Sequence, residues 1–330
     1  MPEFNLAHKL DTPLLSSQLK KGRSVRAPKY AYNSIDVYVF CPEDKLELLK
    51  RSLINYDVNF IFNDYSLKNL DKKIITHFDN SSLSDEKRNF LVAATELGAW
   101  VEPLVSYLDK RMGYTEVTLL QSSYFLHQKA FSILNTKRTQ VAKRIIDLIL
   151  ASILLILFSP IALITYLFIK FDSPGPAIFK QKRVGQYNEE FNVIKFRSMR
   201  IDAEVNGAKW AEKNDERITK VGQFIRKTRI DEIPQLINVI RGEMSIVGPR
   251  PEREVFIEEL EKVIPYYRFR HAVKPGVTGL AQISYPYGAS VEDAIWKHKY
   301  DIHYIKHHST IVDMKILLKT IKVVIFGQGR

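Results

Sequence analysis

Cysteine is nearly missing: Cys41 stands alone in 330 residues, which excludes an internal disulfide and fits a reducing compartment. The chain contains neither G-x-G-x-x-G nor G-x-x-x-x-G-K-[ST], so no fingerprint dinucleotide site and no P-loop are expected. No two aspartates are separated by a single residue, so the metal-binding D-x-D pattern of many nucleotide-sugar glycosyltransferases is missing. Histidine is grouped at His303, His307 and His308, but without H-E-x-x-H or neighbouring cysteines a zinc site is not expected. The opening stretch "MPEFNLAHKLDTPLLSSQLKKGRSVR" is broken by charge throughout, so no secretory leader is expected there and the globular parts are expected to stay cytoplasmic.

Acid is short where base is abundant. Residues 1 to 135 are nearly balanced, whereas residues 136 to 330 hold 32 Lys/Arg against 21 Asp/Glu. An excess of that kind attracts polyanions: nucleic acid, anionic lipid or phosphorylated substrates. Helix-turn-helix, zinc-finger and RNA-binding signatures are absent, so a nucleic-acid partner is not expected. Hydrophobic content of 45% beside 26% charged residues is that of a folded chain.

Three parts are expected. Residues 1–33 read as a polar, flexible lead-in. Residues 34–135 alternate short β-branched and aromatic runs with helix-like stretches, a small accessory α/β domain in which "TEVTLLQ" reads as a late strand. Residues 136–330 form the third part, whose first feature is the one long apolar run. Ile145 to Ile169 contains a single charge, Asp147, and would make a helix of about 37 Å, long enough to span a bilayer core. Pro160, preceded by Ser159, removes a backbone donor and bends such a helix. Lys137, Arg138, Lys143 and Arg144 precede the run, and Lys170, Lys180, Lys182 and Arg183 follow it, which draws both ends to the cytoplasmic side. A re-entrant hairpin over 145–169 meets both demands, with the Ser159 hydroxyl the nearest partner for the backbone group that Pro160 frees. Asp147, one turn after Arg144, is expected to pair with it locally. Near the C-terminus, residues 309–326 place Lys315, Lys319 and Lys322 on one helical face with apolar residues around much of the rest, as an interfacial helix would.

Between these apolar elements, "KTRIDEIPQL" sets Asp231 beside Glu232. Acidic residues before a Pro-initiated helix complement its dipole, and they also suit nucleophilic attack or metal binding. A carboxylate accepts phosphorus only where repulsion from an anionic substrate is offset. Arg226, Lys227, Arg229, Arg241 and Arg250 are near enough in sequence to supply that offset. Arg250, between Pro249 and Pro251, would present a planar guanidinium from a stiff loop. Lys195 and Arg197 in "KFRSM" are further phosphate candidates pointing away from Phe196. Gly276, Thr278 and Gly279 in "VKPGVTGLAQI" could let backbone approach a nucleotide, or form a plain turn.

The blocks "FDSPGPAIFKQKRVGQYNEEFNVIKFRSMRIDAE", "GQFIRKTRIDEIPQLINVIRGEMSIVGPRPE" and "HAVKPGVTGLAQISYPYGASVED", in that order from about Lys143 to the C-terminus, resemble the bacterial sugar transferases known as monotopic phosphoglycosyl transferases, and the tail resembles the exopolysaccharide branch. The resemblance implies an α+β fold: a re-entrant membrane helix-hairpin and a mostly helical catalytic domain with amphipathic interfacial helices, after the small α/β domain. It implies an enzyme on the cytoplasmic face of the bacterial inner membrane that moves a sugar-1-phosphate from a UDP-sugar to polyprenyl (undecaprenyl) phosphate, releasing UMP. Mg²⁺ is the implied cofactor, membrane lipid an implied partner, and pairing of two copies is left open. Asp231 would be the nucleophile, Glu232 would hold the metal with it or assist deprotonation, and Arg226 matches a basic active-site position. Leu280, where many members carry tryptophan, and "SYPYGAS" depart from the common pattern, so sugar identity does not carry over. A membrane-tethered polyanion-binding protein is the alternative, and it would tolerate Asp231→Asn.

Overall fold

The computed structural model describes residues 36–325 apart from 68, 80, 127–130, 132–136, 206, 208, 209, 211–214, 286, 287 and 289. Chain contacts separate two compact units between Leu119 and Leu120.

The first unit holds β1 (Asp36–Phe40), α1 (Leu46–Leu53), β2 (Asn59–Phe62), β3 (Ile74–His77), α2 (Asp85–Glu96), β4 (Trp100–Pro103) and α3 (Leu104–Met112). Its four strands are all parallel in the order β2-β1-β3-β4. Strand β1 is central, and Val37, Val39 and Phe40 are fully buried, the near-continuous apolar pattern of a strand covered on both faces. Tyr38, Phe40 and Ile75 pack with Leu91 and Ala94 of α2, whose N-terminus is capped by the Ser84 hydroxyl on the Lys87 amide. The "TEVTLLQ" stretch is not a strand: Val117–Leu119 is a 3-10 turn with Val117 and Leu119 buried, so β-branched composition was overruled by packing.

The second unit begins earlier than residue 136. In the short α4 (Ser122–Leu126) Phe125, and after it Phe131, have rings 4.5 and 4.7 Å from that of Phe269, and this aromatic contact ties the stretch to the second unit. Helix α5 (Lys137–Asp172) follows, then the antiparallel pair β5 (Ile178–Val184) and β6 (Glu190–Phe196), α6 (Lys220–Lys227), a 3-10 turn over Ile230–Glu232, α7 (Gln235–Arg241), β7 (Ser245–Val247), α8 (Glu254–Leu260), β8 (Gly276–Thr278), α9 (Leu280–Ser284), α10 (Val291–His307) and α11 (Thr310–Ile325). Strands β7 and β8 pair in parallel.

Helix α5 is long and apolar enough to cross a membrane, and its helical assignment runs unbroken through Pro160. Its buried residues sit towards its two ends, Asp147 and Ala151 at one and Thr165 and Ile169 at the other. Between them Ile156, Leu157 and Leu163 are 75%, 63% and 63% exposed. Pro160 has no N–H to offer the Ile156 carbonyl four residues back; the Ser159 hydroxyl donates to that carbonyl at 2.8 Å. Arg144 and Asp147 do not pair. Arg144 donates to the Val239 and Ile240 carbonyls at the end of α7, while Asp147 accepts from the Ser245 hydroxyl and the Ile246 amide at 3.1 and 3.0 Å. Unsatisfied carbonyls at a helix end are the stronger claim on an arginine.

Helix α11 leaves Ile311, Met314, Leu318 and Ile321 exposed in one stripe, bordered by exposed Lys315, Lys319 and Lys322, and buries Ile316 on the opposite side. Asp313 fastens it to the unit, accepting from Lys143 of α5 at 2.7 Å, from the Tyr304 hydroxyl at 2.9 Å and facing His308 at 3.1 Å.

Candidate active site

Asp231 and Glu232 occupy the 3-10 turn between α6 and α7. Arg229, with φ +60°, reverses the chain out of α6, and Pro234 starts α7 at φ −63°. The turn is thus bracketed by one residue in the left-handed region and one locked by its ring. Both carboxylates are 8% exposed, and what surrounds them is cationic. Arg250 Nη2 donates to Glu232 Oε1 at 2.6 Å, and Arg229 Nη1 is 3.5 Å from the same oxygen.

The two neighbouring acids are treated oppositely. Burial pushes the Asp231 carboxyl up, the adjacent Glu232 charge adds to this, and Lys195, Arg250 and Arg226 only partly oppose it, leaving it at about 6. Burial raises Glu232 too, but Arg250, Lys195 and Arg229 outweigh it and hold the group well below the usual carboxylate range. Lys195 is drawn down to about 7, first by burial and then by Arg250. Among the described residues, Asp231 Oδ1 is buried with no hydrogen-bond partner. A buried, unbonded carboxylate oxygen beside a second carboxylate is a donor pair that fits a hard divalent cation such as Mg²⁺, which takes one or two carboxylates together with substrate phosphates.

Among the expected phosphate residues, Arg250 and Lys195 stand at the carboxylates, and Arg226 acts on Asp231 through space. Lys195 belongs to β6 itself. Arg197 is elsewhere: it is 6% exposed and donates to the carbonyls of Pro174, Ser173 and, at 3.4 Å, Ile169. Its Nη1 and Nη2 are taken up at the end of α5, so those nitrogens are not offered to a phosphate. Arg241 is exposed at the far end of α7.

The expected nucleotide loop also has another occupation. A Cβ on Gly276 would lie 2.1 Å from the Gly248 nitrogen, and one on Gly279 would lie 2.2 Å from the Gly248 oxygen. These glycines exist for backbone-on-backbone contact between the β8 segment and the chain leading to Pro249. The Thr278 hydroxyl is engaged with that of Thr320 on α11, 2.8 Å away. The segment supports the Arg250 loop through the Gly276 amide, which donates to the Pro249 carbonyl at 2.8 Å. A cavity of about 20 Å³ lies away from the turn, lined by Lys143, Asp147, His308 and Asp313 among others; it has room for a water rather than a substrate.

No local pattern marks Glu252, Arg270 and Asp301, or gives Arg183 more than its place among the cations after the apolar run. Arg183 pairs with Glu252 at 2.6 Å and Arg270 with Asp301 at 2.7 Å. Partners 69 and 31 residues apart leave no local pattern to find.

Residues 138–327 match the family model described as bacterial sugar transferase, and the chain belongs to that family. It is 46% identical over 187 residues to a UDP-N-acetylgalactosamine-undecaprenyl-phosphate N-acetylgalactosaminephosphotransferase of Aeromonas hydrophila, covering 57% of this chain and 44% of the relative. Over 222 residues it is 36% identical to a UDP-glucose:undecaprenyl-phosphate glucose-1-phosphate transferase of Caulobacter vibrioides, covering 67% of this chain and 83% of that one. An exopolysaccharide production protein of Rhizobium leguminosarum bv. phaseoli is 40% identical over 190 residues, 55% of this chain and 94% of its own length. The chain thus spans under half the length of the Aeromonas relative.

Proposed function

We propose that the chain is a phosphoglycosyl transferase that moves a sugar-1-phosphate from a UDP-sugar to a polyprenyl phosphate such as undecaprenyl phosphate, with release of UMP, at the start of exopolysaccharide or related glycoconjugate synthesis. The observation that carries this reading is the unbonded Asp231 oxygen inside a ring of cations, beside a Glu232 already secured by Arg250. The names of the family relatives support the substrate classes.

In the first step an Asp231 oxygen attacks the β-phosphorus of the donor. The P–O bond to UMP breaks, UMP departs with that electron pair, and a phosphosugar-aspartyl intermediate remains. In the second, a phosphate oxygen of the polyprenyl phosphate attacks the same phosphorus and returns the carboxylate. Asp231 sits at about 6, so it is ionised at neutral pH without being tied down. Arg250, Lys195 and Arg226 meet the charge that gathers on the transferring group, and Glu232 keeps Arg250 aimed. Asp231 and Glu232 would hold Mg²⁺, which when bound supplies charge neutralisation on the diphosphate.

The apolar helix supports a re-entrant placement. A straight helix would hold Arg144 and Ile169 about 37 Å apart, yet both engage one small body. Arg144 bonds the Val239 carbonyl, the Asn238 amide side chain bonds Ile194 and Asn192, and Phe196 packs with Ile169. That short relay, with Ser159 taking up the Ile156 carbonyl, fits a helix that turns back at Pro160 and leaves its exposed middle in lipid. The α11 stripe would lie in the headgroup region on the cytoplasmic face of the inner membrane, where a soluble donor and a lipid acceptor meet. The 36–119 sheet unit would be accessory to transfer.

UMP release from a panel of UDP-sugars, with and without polyprenyl phosphate, tests the reading. Lipid-dependent release that Asp231→Asn abolishes is expected; release unaffected by that substitution would refute the nucleophile.

A further inference from the structure

The loop carrying Arg250 is gripped by its carbonyls. Four consecutive peptide oxygens are each taken by a separate donor. Pro249 O accepts from the Gly276 amide at 2.8 Å, Arg250 O from Arg270 Nη2 at 2.9 Å, Pro251 O from Arg183 Nη1 at 3.3 Å and Glu252 O from the Val184 amide at 2.9 Å. Proline on either side of Arg250 fixes φ as well. The two guanidiniums are themselves tethered. Arg183 pairs with Glu252 at 2.6 Å and donates through Nε and Nη2 to Gln181 Oε1 at 3.0 and 2.6 Å. Arg270 pairs with Asp301 of α10 at 2.7 Å and donates to the Tyr267 hydroxyl at 2.7 Å.

Arg270 and Asp301 are 5% and 1% exposed. A buried ion pair contributes little net stability over a well-packed apolar substitute, so its use is to fix geometry. What this one fixes is a main-chain oxygen of the residue whose own side chain reaches Glu232. Free rotation of that loop would let Arg250 leave Glu232 and lose its aim at the position where phosphate charge develops.

We propose that Arg270, anchored by Asp301, is a positioning residue that acts through Arg250, with Arg183 completing the grip at the next carbonyl, that of Pro251. The catalytic half of this inference rests on the phosphoryl-transfer reading; the structural half does not.

Two measurements on the full chain test it, using Arg270→Lys and Asp301→Asn. Amide hydrogen exchange at Val184 and Gly276, whose acceptors are loop carbonyls, is expected to quicken in both variants while thermal unfolding stays cooperative. Unchanged exchange at both amides would overturn the grip. In UMP release, kcat is expected to fall about 10- to 100-fold, with KM for the donor moving less than kcat. In an Arg250→Ala background Arg270→Lys is expected to cost little more, since its route of action is already removed. Full additivity of the two substitutions would overturn action through Arg250. If Arg270→Lys does not fold, Asp301→Asn, which keeps the guanidinium and weakens its anchor, carries both arms. Should the wild type release no UMP from any donor, the catalytic reading fails and the exchange arm alone decides the grip.

Discussion

Two buried aspartates in the same unit are handled in opposite ways. Asp147, 5% exposed at the start of the apolar helix, has Oδ1 bonded by Ser245 and the Ile246 amide. Asp231, 8% exposed in the turn before α7, leaves Oδ1 with no partner among the described residues. Similar burial therefore accompanies an acid used as a structural pin in one place and, on the proposed mechanism, an acid held ready in the other. The contrast extends to cost. A satisfied buried carboxylate supports the fold, while an unsatisfied one weakens it and persists where function requires it.

The sharpest way to break the comparison is to remove each acid. Asp231→Asn is expected to lower turnover below about a thousandth of wild type. Folding should improve. The carboxyl sits at about 6 in the fold against an ordinary 3.8, so its ionised form is disfavoured by folding, and stability is lost as pH rises from about 4 through about 6. The asparagine escapes this, and at pH 7 a gain on the order of 1 kcal/mol, a Tm rise of about 2–4 °C, is expected. Asp147→Ala should do the reverse. Stranding the Ile246 amide, while the Ser245 hydroxyl keeps the Val247 carbonyl at 3.0 Å, is expected to cost about 1–3 kcal/mol, read as a fall in Tm, with turnover per folded molecule retained.

Glu232→Gln is expected to reduce turnover about 100-fold and to raise the Mg²⁺ concentration needed for half-maximal rate, checked by titrating metal back after chelation. The smallest effect concerns pH. On the proposed mechanism Asp231 acts ionised and Lys195 charged, and they sit at about 6 and about 7. The kcat/KM profile is therefore expected to be a narrow bell, with loss below about 6 from protonation of Asp231 and loss above about 7 from deprotonation of Lys195. Lys195→Arg should extend the alkaline side, and an unaltered alkaline limb would exclude Lys195 from it.

Features governed by near neighbours were readable from sequence. The apolar run, the Asp231–Glu232 turn before Pro234 and the Ser159 hydroxyl on the carbonyl freed by Pro160 are all set within about one helical turn. Features set by distant partners were not. Spacing pairs Asp147 with Arg144, whereas the fold bonds it to residues 98 and 99 positions away. Arg197 carries the same charge as Lys195 two residues earlier, yet one caps the end of α5 and the other lies by the carboxylates. Glycines 276 and 279 fit a ligand-facing loop as well as a backbone crossing until Gly248 is seen against them. The "TEVTLLQ" stretch has strand composition but, among the described residues, no strand to pair with.

The most direct test of the central claim is to incubate the purified chain with a UDP-sugar and Mg²⁺, without lipid acceptor, and to locate any adduct by mass spectrometry. A sugar-phosphate mass on the peptide containing Asp231, lost on adding polyprenyl phosphate and missing from Asp231→Asn, is the predicted result. Lipid-dependent UMP release with an adduct on another residue, or undiminished in the asparagine variant, would contradict it.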